Sequence, residues 1–231
     1  MDKSKFNVNK SQKSVDDIYA LVFARPVSKR ISKLLFNTKI TPNQITVFSV
    51  LLGIISGILL FFDYNYISAV LLYLSFVFDC VDGEVARSRE QFTKLGLWLE
   101  STSDRIPDLL PIIAMGFLTK NWLLTALAVA VLFLIRTVIS ANTMLVEKFK
   151  LEISSSRKGI YSRNKFSVWF RYTKSAHLMF LVIFMLIKQY TLYLILLSTL
   201  GFLYFVVIWV IGIISCRRMD REKRQEGKNG Y

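Results

Sequence analysis

The feature that most constrains this chain is a succession of apolar stretches long enough to cross a bilayer, which takes ~20 mostly apolar residues per helix. Six spans can be drawn, over residues 43–62, 66–87, 95–119, 122–145, 168–188 and 190–216. Hydrocarbon offers a backbone amide no hydrogen-bond partner, so each span must satisfy its own N–H and C=O groups, and a helix does that. The expected fold is all-α and integral to the membrane, with six transmembrane helices. The chain has 231 residues and is 53% hydrophobic, more than a soluble fold of this length needs.

Lys and Arg set the orientation, because positive loops stay on the cytoplasmic side. Residues 1–42 carry nine, residues 146–175 eight and the tail from Arg217 six, whereas the intervening turns carry none, Lys120 and Lys188. Both termini are expected to be cytoplasmic. The net charge of +14 borders membrane spans, where anionic headgroups attract each basic residue by about 1 kcal/mol. Lipid, and not nucleic acid, is the partner this pattern implies. The first 40 residues lack the apolar core of a cleavable signal peptide. Cys80 and Cys216 lack metal or redox spacing and read as packing residues.

Residues 1–13 read as unstructured, and Ser14 and Asp17 as a capping box. After Pro26, Val27, Ile31, Leu34 and Leu35 share one helical face and Lys29, Arg30 and Lys33 the other, the pattern of an amphipathic helix lying in the cytoplasmic interface. Thr41-Pro42-Asn43 reads as an N-cap and a proline at the first helical position, which launches span one. Pro107 and Pro111 predict a kink in span three. Glu147–Lys165 reads as a long basic loop, and the tail after Cys216 as a charged, mobile segment. The chain divides into a cytoplasmic segment, 1–42, a six-helix membrane domain, 43–216, and a basic cytoplasmic tail, 217–231.

The membrane domain holds acidic residues that hydrocarbon disfavours. Asp79 and Asp82 lie three apart near the end of span two, and Glu100 and Asp104 four apart near the start of span three. Each pair projects from one helix face. An ionised Asp at mid-membrane costs ~3 kcal/mol or more, so four together demand compensation, and oxygen-only donors suit Mg²⁺, Mn²⁺ or Ca²⁺. Gly83, Ala86 and Gly96 leave room for close approach to the backbone, and Arg87 can hold a phosphate through two hydrogen bonds. Metal, phosphate and a flat group against glycine together suggest a nucleotide diphosphate. The bland alternative is a set of solvated helix-end charges, with Glu84–Arg87 and Arg105–Asp108 as local pairs.

The stretch from Asp79 to Asp104 resembles the CDP-alcohol phosphatidyltransferase family. That signature is Asp, two residues, Asp-Gly, two residues, Ala-Arg, eight residues, Gly, three residues, Asp, three residues, Asp. Asp79, Asp82-Gly83, Ala86-Arg87, Gly96 and Asp104 match it, and Glu100 stands where the family has its third aspartate. Glu keeps the charge but adds a methylene, and Mg²⁺ tolerates geometric error poorly. The six-span layout and the Thr41-Pro42-Asn43 entry extend the likeness over most of the chain.

The resemblance implies a membrane enzyme of phospholipid biosynthesis that cleaves the pyrophosphate of a CDP-alcohol, moves the phospho-alcohol to an acceptor hydroxyl and releases CMP. It implies Mg²⁺ or Mn²⁺, two ions, held by Asp79, Asp82, Glu100 and Asp104, with Asp104 also the general base. It places Gly83, Ala86, Arg87 and Gly96 in the CDP pocket, with Asn43 beside them. The acceptor is a polyol or polyol phosphate, such as inositol phosphate or glycerol phosphate, met by Arg136, Arg171, Lys174 and His177. The alternative for that set is that Arg136 pairs with Asp108 while Arg171 and Lys174 reach for the interface. The donor is CDP-diacylglycerol or a CDP-polyol, and the GEVAR, GLWLE and SDRIPD context is similar to members that use CDP-inositol. A homodimer in the cell (inner) membrane, multi-pass with a cytoplasmic active site, is implied as well. The small residues Ala126, Ala128 and Ala130 suit close helix contact, within or between chains. Two other classes stay open: an ion-coupled transporter relaying cations through its carboxylates, and an inactive lipid- or nucleotide-binding homologue.

Overall fold

A computed structural model describes residues 18–103, 105–153 and 173–229. The expectations for residues 1–13, for the Ser14 and Asp17 cap and for the loop from residue 154 onward lie outside the described residues. Every described element is helical. A π-helical turn, Ala20–Ala24, leads into α1 (Arg25–Leu35), α2 (Pro42–Phe61), α3 (Asn65–Arg89), α4 (Lys94–Ser103), α5 (Arg105–Thr119), α6 (Trp122–Ile153), α7 (Lys174–Leu186) and α8 (Tyr190–Asn229). By length and composition, Pro42–Phe61, Trp122–Asn142 and Tyr190–Ile214 can each cross a membrane, and Lys174–Leu186 is apolar but shorter. The described residues form two compact units, one drawn from residues 18–122 with 173–193, the other from 123–153 with 194–229.

In the first unit α2 and α3 pack antiparallel along a seam of small residues. On α2, Thr46, Ser49, Gly53, Ser56 and Gly57 are buried, while Val47, Phe48, Leu51, Ile55 and Ile58 face outward. That is the reverse of a water-soluble helix, and it suits an apolar solvent in which small residues bring helices together. Ser56 and Ser68 each donate to the other's carbonyl, at 2.8 and 2.6 Å, and Ser75 donates to the Ser49 carbonyl at 2.7 Å. A Cβ at Gly53 would stand 2.6 Å from the Pro107 ring, and one at Gly57 2.6 Å from Leu110 Cβ, so this GxxxG pair seats α5 on α2. Pro107 lies in the first turn of α5 and Pro111 inside it.

Thr41 caps α2 through a full capping box with Gln44, Pro42 filling the first helical position. The N-terminal helix α1 docks on α3 by its polar side. Arg25, Ser28 and Ser32 are buried, and Leu34 is 77% exposed. Glu84 of α3, fully buried, accepts hydrogen bonds from Arg25 Nη1 at 2.5 Å, Ser28 Oγ at 2.8 Å and Ser32 Oγ at 2.6 Å. The local Glu84–Arg87 pair considered from sequence is thus replaced by a partner 59 residues away. One turn further on, the Arg89 guanidinium donates to the carbonyls of Leu35, Phe36, Thr38 and Ile40, covering the C-terminal end of α1. Burial draws the Arg89 pKa down from its ordinary value, the direction expected for a cation leaving water.

In the second unit α6 and α8 come close where Gly201 faces Val131 and Gly212 faces Asn142. Ala128 is buried there and Ala126 and Ala130 are exposed. Two loop expectations are corrected. The helix of span four continues to Ile153, and that of span six runs through the charged tail to Asn229. Lys, Arg, Glu and Gln are strong helix formers, so the polar character of both segments ends the membrane span without ending the helix.

Removing one partner of a buried ion pair strands the other charge, at a cost of ~3–5 kcal/mol. Arg25→Met is therefore expected to lower the detergent-solubilised thermal midpoint markedly. Arg25→Met with Glu84→Leu should recover much of the loss. A double variant no more stable than the single one would show that the pair does not hold α1 in place.

Candidate functional site

The charged end of α3 lines an open cavity of ≈ 110 Å³ whose walls come from three helices. Asp82, Gly83, Ala86 and Arg87 form one wall, Pro42, Asn43 and Thr46 the first turns of α2 another, and Gln91–Thr93 with Gly96 the third. The spacing 82, 83, 86, 87 keeps four residues on one helix face. Glu90 adopts a left-handed conformation, φ 57°, and its N–H caps the helix on the carbonyls of Ala86 and Arg87. This turn swings Gln91, Phe92 and Thr93 across the cavity. Thr93 Oγ1 then accepts from the Gly96 N–H at 2.9 Å, starting α4, and from Asn43 Nδ2 at 3.2 Å, tying α4 to α2.

Two glycines are fixed by their neighbours. A Cβ at Gly83 would lie 2.9 Å from Arg87 Nη1, so the arginine lies back across the bare backbone of its own helix. A Cβ at Gly96 would lie 2.8 Å from Asn43 Oδ1 and 3.0 Å from Thr93 Oγ1. Either side chain would displace a polar group that faces the cavity.

The carboxylates are held from different directions. Asp82 Oδ2 accepts the Thr46 hydroxyl at 2.6 Å. Asp79, one turn earlier, pairs with Lys174 of α7, Nζ to Oδ2 3.0 Å. Of Glu100 the structure describes the helix, α4, that carries it one turn after Gly96, and Asp104 lies outside the described residues. Among the described residues, no group of three or more His, Cys, Asp and Glu side chains gathers to hold a metal ion.

The nucleotide set read from sequence, Asn43, Gly83, Ala86, Arg87 and Gly96, meets in this one cavity together with Asp82. The acceptor set is not gathered in the same way. Lys174 turns to Asp79, and His177 is fully buried with its Nδ1 3.1 Å from the Tyr193 hydroxyl. Arg136 belongs to the second unit and Arg171 lies outside the described residues. Sequence reasoning missed Thr46, Gln91, Phe92 and Thr93. Thr46 falls one turn after Pro42 on the cap-bearing face of span one, and that register is the signal that could have found it.

Residues 39–218 match the family described as CDP-alcohol phosphatidyltransferase. The chain belongs to the CDP-alcohol phosphatidyltransferase family. Among curated relatives, the bifunctional IPC transferase and DIPP synthase of Aquifex aeolicus is 40% identical over 99 residues, 42% of this chain and 23% of that protein. The phosphatidylinositol phosphate synthase of Corynebacterium glutamicum is 40% identical over 86 residues, 37% of this chain and 39% of its own. The archaetidylinositol phosphate synthase of Pyrococcus horikoshii is 32% identical over 94 residues, 40% of this chain and 50% of its own. The chain thus covers 23% to 50% of the length of these relatives.

Groups that orient a ligating carboxylate typically contribute 10–100-fold to activity. Thr46→Val, which removes the hydroxyl at equal volume, is expected to slow release of CMP from a CDP-alcohol by about that factor. Thr46→Ser should retain most of the rate and the wild-type thermal midpoint, whereas Thr46→Val should also lower the midpoint, since it removes the donor to Asp82.

Proposed function

We propose that this protein is an integral-membrane CDP-alcohol phosphotransferase that depends on divalent metal and transfers a phospho-alcohol to an acceptor hydroxyl in phospholipid biosynthesis. The observation that carries the reading is the convergence of Asp82, Gly83, Ala86, Arg87, Gly96 and Asn43 on one cavity. A volume of ≈ 110 Å³ is well below the ~300–1,000 Å³ that encloses a whole small ligand. It suits one group of the donor, such as its pyrophosphate, with the rest of the CDP-alcohol extending through the open side. Arg87, laid across Gly83, presents paired N–H donors of the kind that grip a phosphate.

The donor set fits a divalent cation. Asp79 and Asp82 offer hard oxygens one turn apart, and an ammonium already sits at Asp79 where positive charge is called for. Asp79, Asp82, Glu100 and Asp104 would hold the metal, Mg²⁺ or Mn²⁺, in two sites. Bound there, it would offset the charge of the pyrophosphate. Asp104 takes the proton of the acceptor hydroxyl as that oxygen attacks the phosphorus bearing the alcohol. The bond from this phosphorus to the bridging oxygen breaks, and CMP departs with that oxygen. Thr46 keeps one oxygen of Asp82 engaged so that the other is turned to its task.

The acceptor reading keeps Lys174, Arg171, His177 and Arg136 as phosphate-binding candidates. An inositol phosphate acceptor is favoured because one relative is described as a phosphatidylinositol phosphate synthase and another as an archaetidylinositol phosphate synthase. A CDP-polyol donor is the second reading, supported by the GEVAR, GLWLE and SDRIPD context of the motif. The membrane domain, 43–216, is read as six spans with α1 in the cytoplasmic interface, both termini cytoplasmic, in the cell membrane and as a homodimer.

The test is CMP release from labelled CDP-diacylglycerol and CDP-inositol, each offered free and phosphorylated polyols, with Mg²⁺ or EDTA. Activity is expected with Mg²⁺ alone. Asp104→Asn should lower it by about 10²–10⁴, the range for a lost general base, at unchanged expression. No CMP release from any donor would leave the inactive-homologue or transporter reading standing.

A further inference from the structure

The Asp79–Lys174 ion pair joins α3 to α7, with both side chains about one-fifth exposed, at 20% and 22%. Three features set it apart from an ordinary structural pair. Lys174 is the first residue of α7, capped by Thr173. Helix N-termini disfavour a positive charge and favour a negative one, so helix stability gives no reason for a lysine there. The neighbouring buried charge is matched independently, since Glu84 holds Arg25 and two serine hydroxyls. Asp79 also opens the motif whose next carboxylate, Asp82, lines the cavity one turn on. A carboxylate suited to a divalent cation therefore carries a tethered monovalent one.

We propose that Lys174 is an internal counter-ion that a divalent cation must displace from Asp79. The inference rests on the metal-dependent reading above. The Lys174 ammonium, 3.0 Å from Asp79 Oδ2, offsets the charge of a carboxylate that would be costly to leave unpaired away from water. An incoming Mg²⁺ or Mn²⁺ brings twice the charge to the same oxygens and repels the ammonium. Lysine suits the exchange because its charge is a compact head on a flexible stem that can swing aside, whereas arginine would hold a carboxylate through a rigid fork. The pair weakens metal binding by the energy of its own contact, so metal occupancy follows substrate arrival more closely than a bare pair of aspartates would allow.

The experiment uses the full chain purified in detergent, with Mn²⁺ as the probe, its free fraction read by electron paramagnetic resonance. Lys174→Met is expected to bind Mn²⁺ about tenfold more tightly than wild type, within the range by which such neighbours tune a metal site. A folded Lys174→Met protein with unchanged or weaker affinity overturns the proposal. Should that variant fail to fold, wild-type protein decides the matter. Acylation of Lys174 by an amine reagent, followed by peptide mass spectrometry, should rise when Mn²⁺ saturates, while Lys188, paired with Asp63 at 3.9 Å, stays constant as a control. Acylation indifferent to Mn²⁺ overturns the proposal. A purely structural pair would change the thermal midpoint and leave both readouts still. Wild-type protein that binds no Mn²⁺ at all sinks the transferase reading with it, whereas normal wild-type binding matched by the variant sinks the counter-ion role alone.

Discussion

A carboxylate stays ionised inside a helix bundle only if a partner answers its charge, and α3 carries three of them within six residues, Asp79, Asp82 and Glu84. Each is answered by a different element. Lys174 of α7 meets Asp79, Thr46 of α2 meets Asp82, and Arg25, Ser28 and Ser32 of α1 surround Glu84. Arg89 completes the set by covering the carbonyls that follow α1. The polar demands of one end of one helix thus fix the position of three neighbours. A buried ion pair is weak evidence of net stability. Its worth here is specificity, since apolar packing alone leaves helices free to slide and a buried carboxylate does not.

Helical geometry separates the anchoring charge from the cavity. At about 100° per residue, Glu84 projects some 200° round from Asp82, toward α1, while Gly83, Ala86 and Arg87 share the cavity with Asp82. A fault in the Glu84 contact would therefore reach the cavity through rotation of α3, without any residue of the cavity being altered. The left-handed turn at Glu90 has the same double character. It ends α3, and it delivers Gln91, Phe92 and Thr93 to the cavity wall.

What could be read in the sequence was what is local. The cap at Thr41 and Pro42, the helical character of the described residues, and Asn43, Asp82, Gly83, Ala86, Arg87 and Gly96 of the cavity follow from spacing within one or two turns or from a motif of 26 residues, whereas Thr46, Gln91, Phe92 and Thr93 do not. The Arg25–Glu84 contact spans 59 residues and no periodicity announces it. Glu90 in a left-handed turn carries no glycine to betray it. The role of Gly53 and Gly57 depends on Pro107 and Leu110, which arrive from another helix. The continuation of α6 as far as Ile153 and of α8 as far as Asn229 was misread for a different reason. Hydropathy reports where a membrane stops, and helix propensity, which is high in Lys- and Glu-rich segments, reports where a helix does.

The inversion seen in α1 and α2 follows from the same physics as the charge matching. In water, α1 would bury Leu34 and expose Arg25, Ser28 and Ser32. Here Leu34 is exposed and those three are buried. In α2 the most exposed residues are Val47, Phe48, Leu51, Ile55 and Ile58, while Thr46, Ser49, Gly53, Ser56 and Gly57 are buried beside Ile45 and Leu60. With an apolar solvent outside, burying large side chains gains little, and helices associate through close backbone approach and interhelical hydrogen bonds. Serines, threonines and matched charges are buried at these helix seams among the apolar core, and they are where an oxygen-rich site finds its partners. Placing carboxylates at the end of α3, among serines, threonines and two matched cations, is the arrangement in which this chain can keep them charged.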